Sequence, residues 1–221
     1  MIILALDGAL ARCSAAVLAD GVVLAAARED AARGQAALLP PMVDAVLAQA
    51  GVAATALTAV AVGVGPGGFT GLRAALALAE GIALAAGLPL IGVTTGEALA
   101  EAIPAARRRG RALWCVVDNR RGRVVLERFA PGAMVPDGPP EALEDIALPV
   151  PDGPVAIAGD AAAAVAARLA AQDRDVLLTD ARLPDAAAVA RVAAARFAGA
   201  ILPRDAAPLY VEPPAVRAPA P

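Results

Sequence analysis

Two rhythms organise the hydrophobic and polar positions of this chain: short apolar runs bounded by turn residues, and longer stretches with helical spacing. Runs at Ile2 to Leu6, Ser14 to Leu18 and Val22 to Ala27, with Asp20-Gly21 between the last two, predict a three-stranded antiparallel meander. From Gln35 to Gln49, Leu38, Leu39, Met42, Val43, Val46 and Leu47 recur in adjacent pairs every four residues, which predicts a helix. Pro40 and Pro41 kink that helix or mark its first turn. A strand Leu57 to Val62, a helix Leu72 to Ala86 and a strand Leu90 to Val93 complete a β-β-β-α-β-α-β unit.

A second unit opens after Arg111 and repeats the start of the first. Leu113 to Val117 runs into Asp118, turns at Arg121-Gly122 and continues into Val124 to Phe129, as Ile2 to Leu6 runs into Asp7-Gly8 and then Ser14 to Leu18. Beyond the Pro/Gly-rich stretch Pro131 to Pro140 follow a strand Val155 to Ala158, a helix Ala161 to Ala171, a strand Val176 to Leu178 and a helix Asp185 to Ala198. The expected division is an N-terminal domain over 1–104, a smaller C-terminal domain over 105–202 and an extended proline-rich tail over 203–221.

Between the fourth strand and the second helix lies Gly63-Val-Gly-Pro-Gly-Gly-Phe-Thr-Gly-Leu-Arg73, five glycines and a proline in eleven residues. Such a loop admits positive φ and close approach by backbone or by a phosphate. The spacing satisfies G-x-G-x-x-G at Gly63, Gly65 and Gly68, but the next strand ends in Thr94-Thr95 where dinucleotide binding needs an acidic residue. A Walker loop needs a lysine, and the chain contains none. The alternative is a tight turn, built on Gly65, Gly67, Gly68, Thr70 and Gly71, that positions the following helix.

Composition narrows the chemistry further. The 221 residues suffice for one large domain or two small ones, and the 59% apolar share rests mainly on alanine, which implies closely approaching helices. Net charge is −3, and the one basic block, Arg107-Arg-Arg-Gly-Arg111, is short, so no direct nucleic-acid binding by this chain alone is expected. The absence of histidine excludes Ser-His-Asp and Cys-His catalysis and the usual zinc ligands. Cys13 and Cys115 are isolated and read as reduced, buried thiols. With no leader pattern at the start and charges in the most apolar helix, a cytoplasmic, membrane-free protein without a metal or cofactor is expected.

A duplicated α/β unit with an aspartate after its first strand resembles the two-domain actin/hexokinase/chaperone-ATPase (ASKHA) fold, in which an Asp-x-Gly turn approaches nucleotide phosphates. Asp7, Gly8 and Asp118 are the candidates for a vestigial phosphate site; alternatively, the two aspartates cap strand-end turns.

Leu4-Ala-Leu-Asp7, Leu38-Leu-Pro40, Gly65-Pro-Gly-Gly-Phe-Thr-Gly-Leu-Arg73, Asp118-Asn-Arg-Arg-Gly122 and Pro208-Leu-Tyr210 resemble, in this order, the bacterial TsaB family. The glycine loop is the specific landmark. The resemblance implies a non-catalytic scaffold for a TsaD-type enzyme that threonylcarbamoylates the adenosine beside the anticodon of tRNAs. It implies a TsaE-type ATPase in the same complex and a homodimer when the chain is alone. Many relatives carry His-Ser or His-Thr where this chain has Gln35-Ala36, and Asp-Thr where it has Asp7-Gly8.

By resemblance, the two N-domain helices form the partner surface, with Leu38, Leu39, Met42, Val46, Leu72, Ala75, Leu76 and Ala79 on it. Small residues at Gly71, Ala75, Ala79 and Ala83 would let another helix approach closely, although packing on the chain's own sheet accounts for one face of each helix. Arg73 lies on the rim of that surface or caps the loop as a solvated charge. On this reading Val46→Asp abolishes pairing and leaves the monomer folded, and Gly67→Ala misplaces the second helix through strain at positive φ. The rival reading is an independent Mg-dependent ATPase or small-molecule kinase of the same fold.

Overall fold

The computed structural model describes residues 1–144 and 147–212; the part of the expected tail from residue 213 on lies outside the described residues. The elements are β1 (Ile2–Asp7), β2 (Cys13–Ala19), β3 (Val22–Glu29), α1 (Gln35–Ala50), β4 (Ala59–Gly65), α2 (Phe69–Ala86), β5 (Leu90–Thr94), α3 (Thr95–Glu101), α4 (Ala105–Arg108), β6 (Ala112–Asp118), β7 (Arg123–Phe129), β8 (Glu141–Glu144), β9 (Val155–Ala158), α5 (Ala162–Ala170), β10 (Val176–Leu178) and α6 (Ala186–Phe197).

They form two five-stranded sheets of the same topology. The first runs β3-β2-β1-β4-β5 and the second β10-β9-β6-β7-β8. In each, a three-stranded antiparallel meander is extended by two parallel strands. The duplication expected from the two strand-aspartate openings is therefore the architecture of the molecule, a two-sheet ASKHA-type α/β fold.

β1 reads as a continuous apolar run because both of its faces are covered. Leu4 and Leu6 face α1 and α2, while Ile3 and Ala5 face the opposite layer, as the two-residue period of a strand requires. Fully burying a leucine or isoleucine side chain contributes about 1.5–3 kcal/mol. The helices end where their glycines enter the left-handed region: α1 at Gly51 with φ 64° and α2 at Gly87 with φ 64°. Pro40 and Pro41 lie inside α1 on its solvent side rather than in its first turn.

The opposite layer is where the expected division fails for one helix. Residues 105–202 were assigned to the second unit, yet α6 packs on the first sheet, with Ala186, Val189, Ala190 and Ala193 against Ile3, Ala5, Ala59 and Val93. Its small side chains let the helix sit close to the strands. The first sheet thus has helices on both faces. Among the described residues, no helix between β8 and β9 packs on the second sheet as α1 packs on the first.

Three elements, β8, α3 and the single-turn α4, escape the sequence reading. β8 is a four-residue strand just beyond the Pro/Gly-rich stretch. α3 begins with a capping box in which the Thr94 side chain accepts from the Glu97 N–H and the Glu97 carboxylate accepts from the Thr94 N–H. Glu97 also pairs with Arg196 of α6, a fully buried ion pair between two helices.

Candidate functional site

The glycine loop is packed against the β1–β2 turn. The Gly68 N–H donates to the Ala9 carbonyl at 2.6 Å, and a Cβ on Gly67 would overlap that same oxygen. Gly8 and Gly71 meet in the same way, each leaving room for the other's carbonyl. Gly67 is not at positive φ, so the strain expected there is a close approach of two backbones and not a left-handed conformation; the left-handed position is Gly65, φ 96°. Pro66 accepts from the Thr95 hydroxyl at 2.7 Å, which ties the loop to the start of α3, and Thr70 is exposed in the first turn of α2.

The three candidates for a phosphate site are each engaged within the fold. Asp7 is fully buried beneath Gly63; its Oδ1 accepts from the Ala9 N–H at 3.2 Å, and Oδ2 has no hydrogen-bond partner among the described residues. Burial pushes its pKa up to about 7, against the pull of the Ala9 N–H, with the Asp185 charge adding to the rise and Arg12 opposing it. Gly8 is buried under α2. Asp118 caps its turn, accepting from the Arg120 N–H at 2.7 Å, while its own N–H donates to Asp160 at 2.8 Å.

Between the β1–β2 turn and the second sheet, an apolar plug of Leu10, Val117 and Val125 is joined by Leu183 and Val211. The Asp7 carboxylate itself is not exposed to solvent. Among the described residues no cluster of three or more carboxylates or thiols is placed to hold a metal. Both thiols are buried, with Cys13 pushed up to about 11 and Cys115 also raised well above the usual thiol value, both chiefly by desolvation, so neither is a ready nucleophile. A concavity of about 540 Å³ beside Trp114, Phe129 and the Arg128–Glu141 pair contains none of the predicted site residues.

On the helices, the predicted partner surface is displaced by one face. Leu39, Val46, Leu72, Ala75, Leu76 and Ala79 all belong to the core beneath α1 and α2, none more than 4% exposed, and Leu38 and Met42 are half-buried beside them. Of the predicted set, only Arg73 is exposed. Val46→Asp would therefore put a charge in the core and unfold the monomer.

The solvent face of α2 consists of Phe69, Arg73, Ala77, Glu80 and Leu84, which share an arc of about 80° on a 3.6-residue helix. Leu84 is 85% exposed and Phe69 59%. Ala36, Ala37, Pro40, Pro41, Ala45 and Ala48 continue this surface on α1. The two helices carry only three charges between them, Asp44, Arg73 and Glu80. By length and composition α2 is long and apolar enough to cross a membrane; in the fold its inner face lies on the first sheet.

Comparison with known proteins converges on one family. The family model for "TsaD: tRNA N6-adenosine threonylcarbamoyltransferase" matches residues 28–135. The tRNA threonylcarbamoyladenosine biosynthesis protein TsaB of Escherichia coli is 40% identical over 130 residues, 58% of this chain and 55% of that protein. The match thus spans about half the length of curated TsaB relatives. YeaZ from Pseudomonas aeruginosa superposes with a TM-score of 0.79 at 31% identity, covering 95% of this chain and 99% of that one. Component A of (R)-2-hydroxyglutaryl-CoA dehydratase from Acidaminococcus fermentans shares the fold alone, with a TM-score of 0.52 at 10% identity over 90% of this chain and 99% of its own.

Proposed function

We propose that this chain, which belongs to the TsaB/YeaZ family, works in tRNA threonylcarbamoyladenosine biosynthesis as a non-catalytic partner of a TsaD-type threonylcarbamoyltransferase. It does so in the cytoplasm, in a complex that includes a TsaE-type ATPase, and leaves tRNA contact to its partner. The observation that carries this reading is the outer face of α1 and α2, exposed over two long helices yet almost free of charge. An apolar face of this kind is stable in water only when something covers it for part of its working life.

The exposed stripe of α2 is also complementary to itself. An antiparallel second copy related by a two-fold axis between Leu76 and Ala77 sets Arg73 against Glu80 and Phe69 against Leu84, twice each, with Ala77 at the crossing. The alanine there allows the close helix approach that the composition implies. Alone, the chain pairs with itself through this stripe, and the transferase replaces the second copy in the complex.

The rival reading, an independent Mg-dependent ATPase or kinase, is disfavoured by the full burial of the Asp7 carboxylate. Co-elution with a TsaD-type transferase tests the proposal. Leu84→Asp should abolish it while the isolated chain keeps its fold by circular dichroism, and calorimetric titration of the isolated chain with Mg-ATP should give no heat. Retained co-elution, or micromolar ATP binding with turnover, counts against it.

A further inference from the structure

Up to residue 212, the segment after α6 lies along the molecule. Its Arg204 carbonyl accepts from the Gly92 N–H at the free edge of β5, and the Leu209 N–H donates to the Val64 carbonyl at 2.8 Å. Glu212 accepts from Asn119 in the turn after β6 at 2.9 Å and from Arg123 at the start of β7 at 2.7 Å. Tyr210 is thus held between an anchor on the first sheet and an anchor on the second. The strap delivers the one tyrosine of the chain to the N-terminal end of the exposed α2 stripe.

There the Arg73 Nε–H donates to the Tyr210 hydroxyl at 2.9 Å, and the guanidinium carbon lies 3.7 Å above the Phe69 ring. The Tyr210 ring lies 6.4 Å from Phe69, inclined by 28°, with the arginine 5.8 Å from its centre. The chain has five aromatic residues in all, counting Phe, Trp and Tyr, so placing two of them half-exposed around one arginine is a concentrated use of them. Arg73 makes no ion pair among the described residues, although it is exposed. With Nε taken by the hydroxyl, the two Nη nitrogens form a fork that matches a carboxylate.

We infer that the strap completes the docking face: Tyr210 holds Arg73 as a preset anchor for a carboxylate of the docking protein, which in self-pairing is Glu80 of the second copy. Charge complementarity selects that occupant, because the stripe has one unpaired arginine and, about 10 Å along the same face, one glutamate. Tyr210 is a positioning residue. It removes rotamer freedom from Arg73 before docking, so less is lost on binding. An arginine ringed by aromatic side chains at the end of an apolar stripe has the composition of an interface hot spot.

This inference rests on the docking reading above, and the test separates the two. Self-association of the full chain is measured by sedimentation equilibrium for wild type, Tyr210→Phe, Arg73→Lys, the double variant and Arg73→Glu, each checked for an unchanged fold by circular dichroism. Tyr210→Phe should weaken pairing roughly fivefold to tenfold. Arg73→Lys should weaken it by at least as much, since an ammonium lacks the fork, and adding Tyr210→Phe to Arg73→Lys should weaken it no further. If Arg73→Glu abolishes pairing while Tyr210→Phe pairs as wild type, or if the two effects add in full, docking stands and the role of the strap is wrong. If Arg73→Glu still pairs, or the wild type stays monomeric, the docking reading fails and takes this inference with it.

Discussion

The inner and outer faces of α2 are both composed largely of alanine and leucine, yet they do opposite things. The inner face, Leu72, Ala75, Leu76, Ala79 and Ala83, is shut against the first sheet. The outer face, Phe69, Arg73, Ala77, Glu80 and Leu84, carries comparable apolar side chains into solvent. The difference lies in what the strands cover and not in hydrophobicity. A helix that is apolar nearly all round has two partners to find, and only one of them belongs to this chain.

The largest effect should separate the two faces outright. Leu72→Ala is expected to cost about 2–5 kcal/mol in chemical denaturation, whereas Leu84→Ala should stay within roughly 0.5 kcal/mol and act on association only. Comparable losses at both positions would remove the distinction. A period of 3.6 residues gathers Leu72, Ala75, Leu76 and Ala79 onto one arc, and the sequence reading assigned that arc to the partner. Nothing in an all-apolar helix says which arc the sheet claims, so Val46 and Leu72 were placed one face away from where they lie.

A second effect of similar size comes from pH. Asp7 and Glu127 both have pKa values raised to about 7, chiefly by burial; Glu127 also feels the Glu97 charge, while Thr94, the Gly96 N–H and Arg204 act against the rise. Each folded-state value lies above the ordinary carboxylate value, so the folded chain keeps a proton that the unfolded chain has lost. Stability should therefore fall as pH rises from about 4 to about 7 and level off above, by roughly 1.4 kcal/mol per pH unit per group. Asp7→Asn and Glu127→Gln should each flatten that slope in pH-dependent melts. A slope unchanged by both would mean that neither group titrates in this window.

Gly67→Ala ranks third. Because a Cβ there meets the Ala9 carbonyl, the loop and the β1–β2 turn must separate, at a cost of about 1–3 kcal/mol, and the start of α2 shifts with them. Partner affinity should fall together with stability. A Gly67→Ala chain as stable as wild type would show that the two backbones are not in close contact.

How much of this was legible in the sequence depends on burial and length. The strands of the first sheet and the repeat of strand and aspartate could be read, because fully buried strands leave apolar runs bounded by Gly and Asp. α3 was missed because seven residues are too few to show a period, although Thr94 and Glu97 already stood at capping-box spacing. The sheet that α6 covers was illegible, since small residues on every side fit either sheet. Phe69 and Tyr210 stand 141 positions apart, and only the strap brings them to Arg73.

The docking role of the outer face can be tested by exchanging its charges. Arg73→Glu and Glu80→Arg each place like charges opposite one another in the two-fold pair, so each variant alone should be monomeric in sedimentation at concentrations where the wild type is dimeric. Mixed in equal amounts, they restore both opposite-charge contacts, and the mixture should return to the dimer. Variants that dimerise alone as well as the wild type does, or a mixture no more associated than its components, would contradict the account.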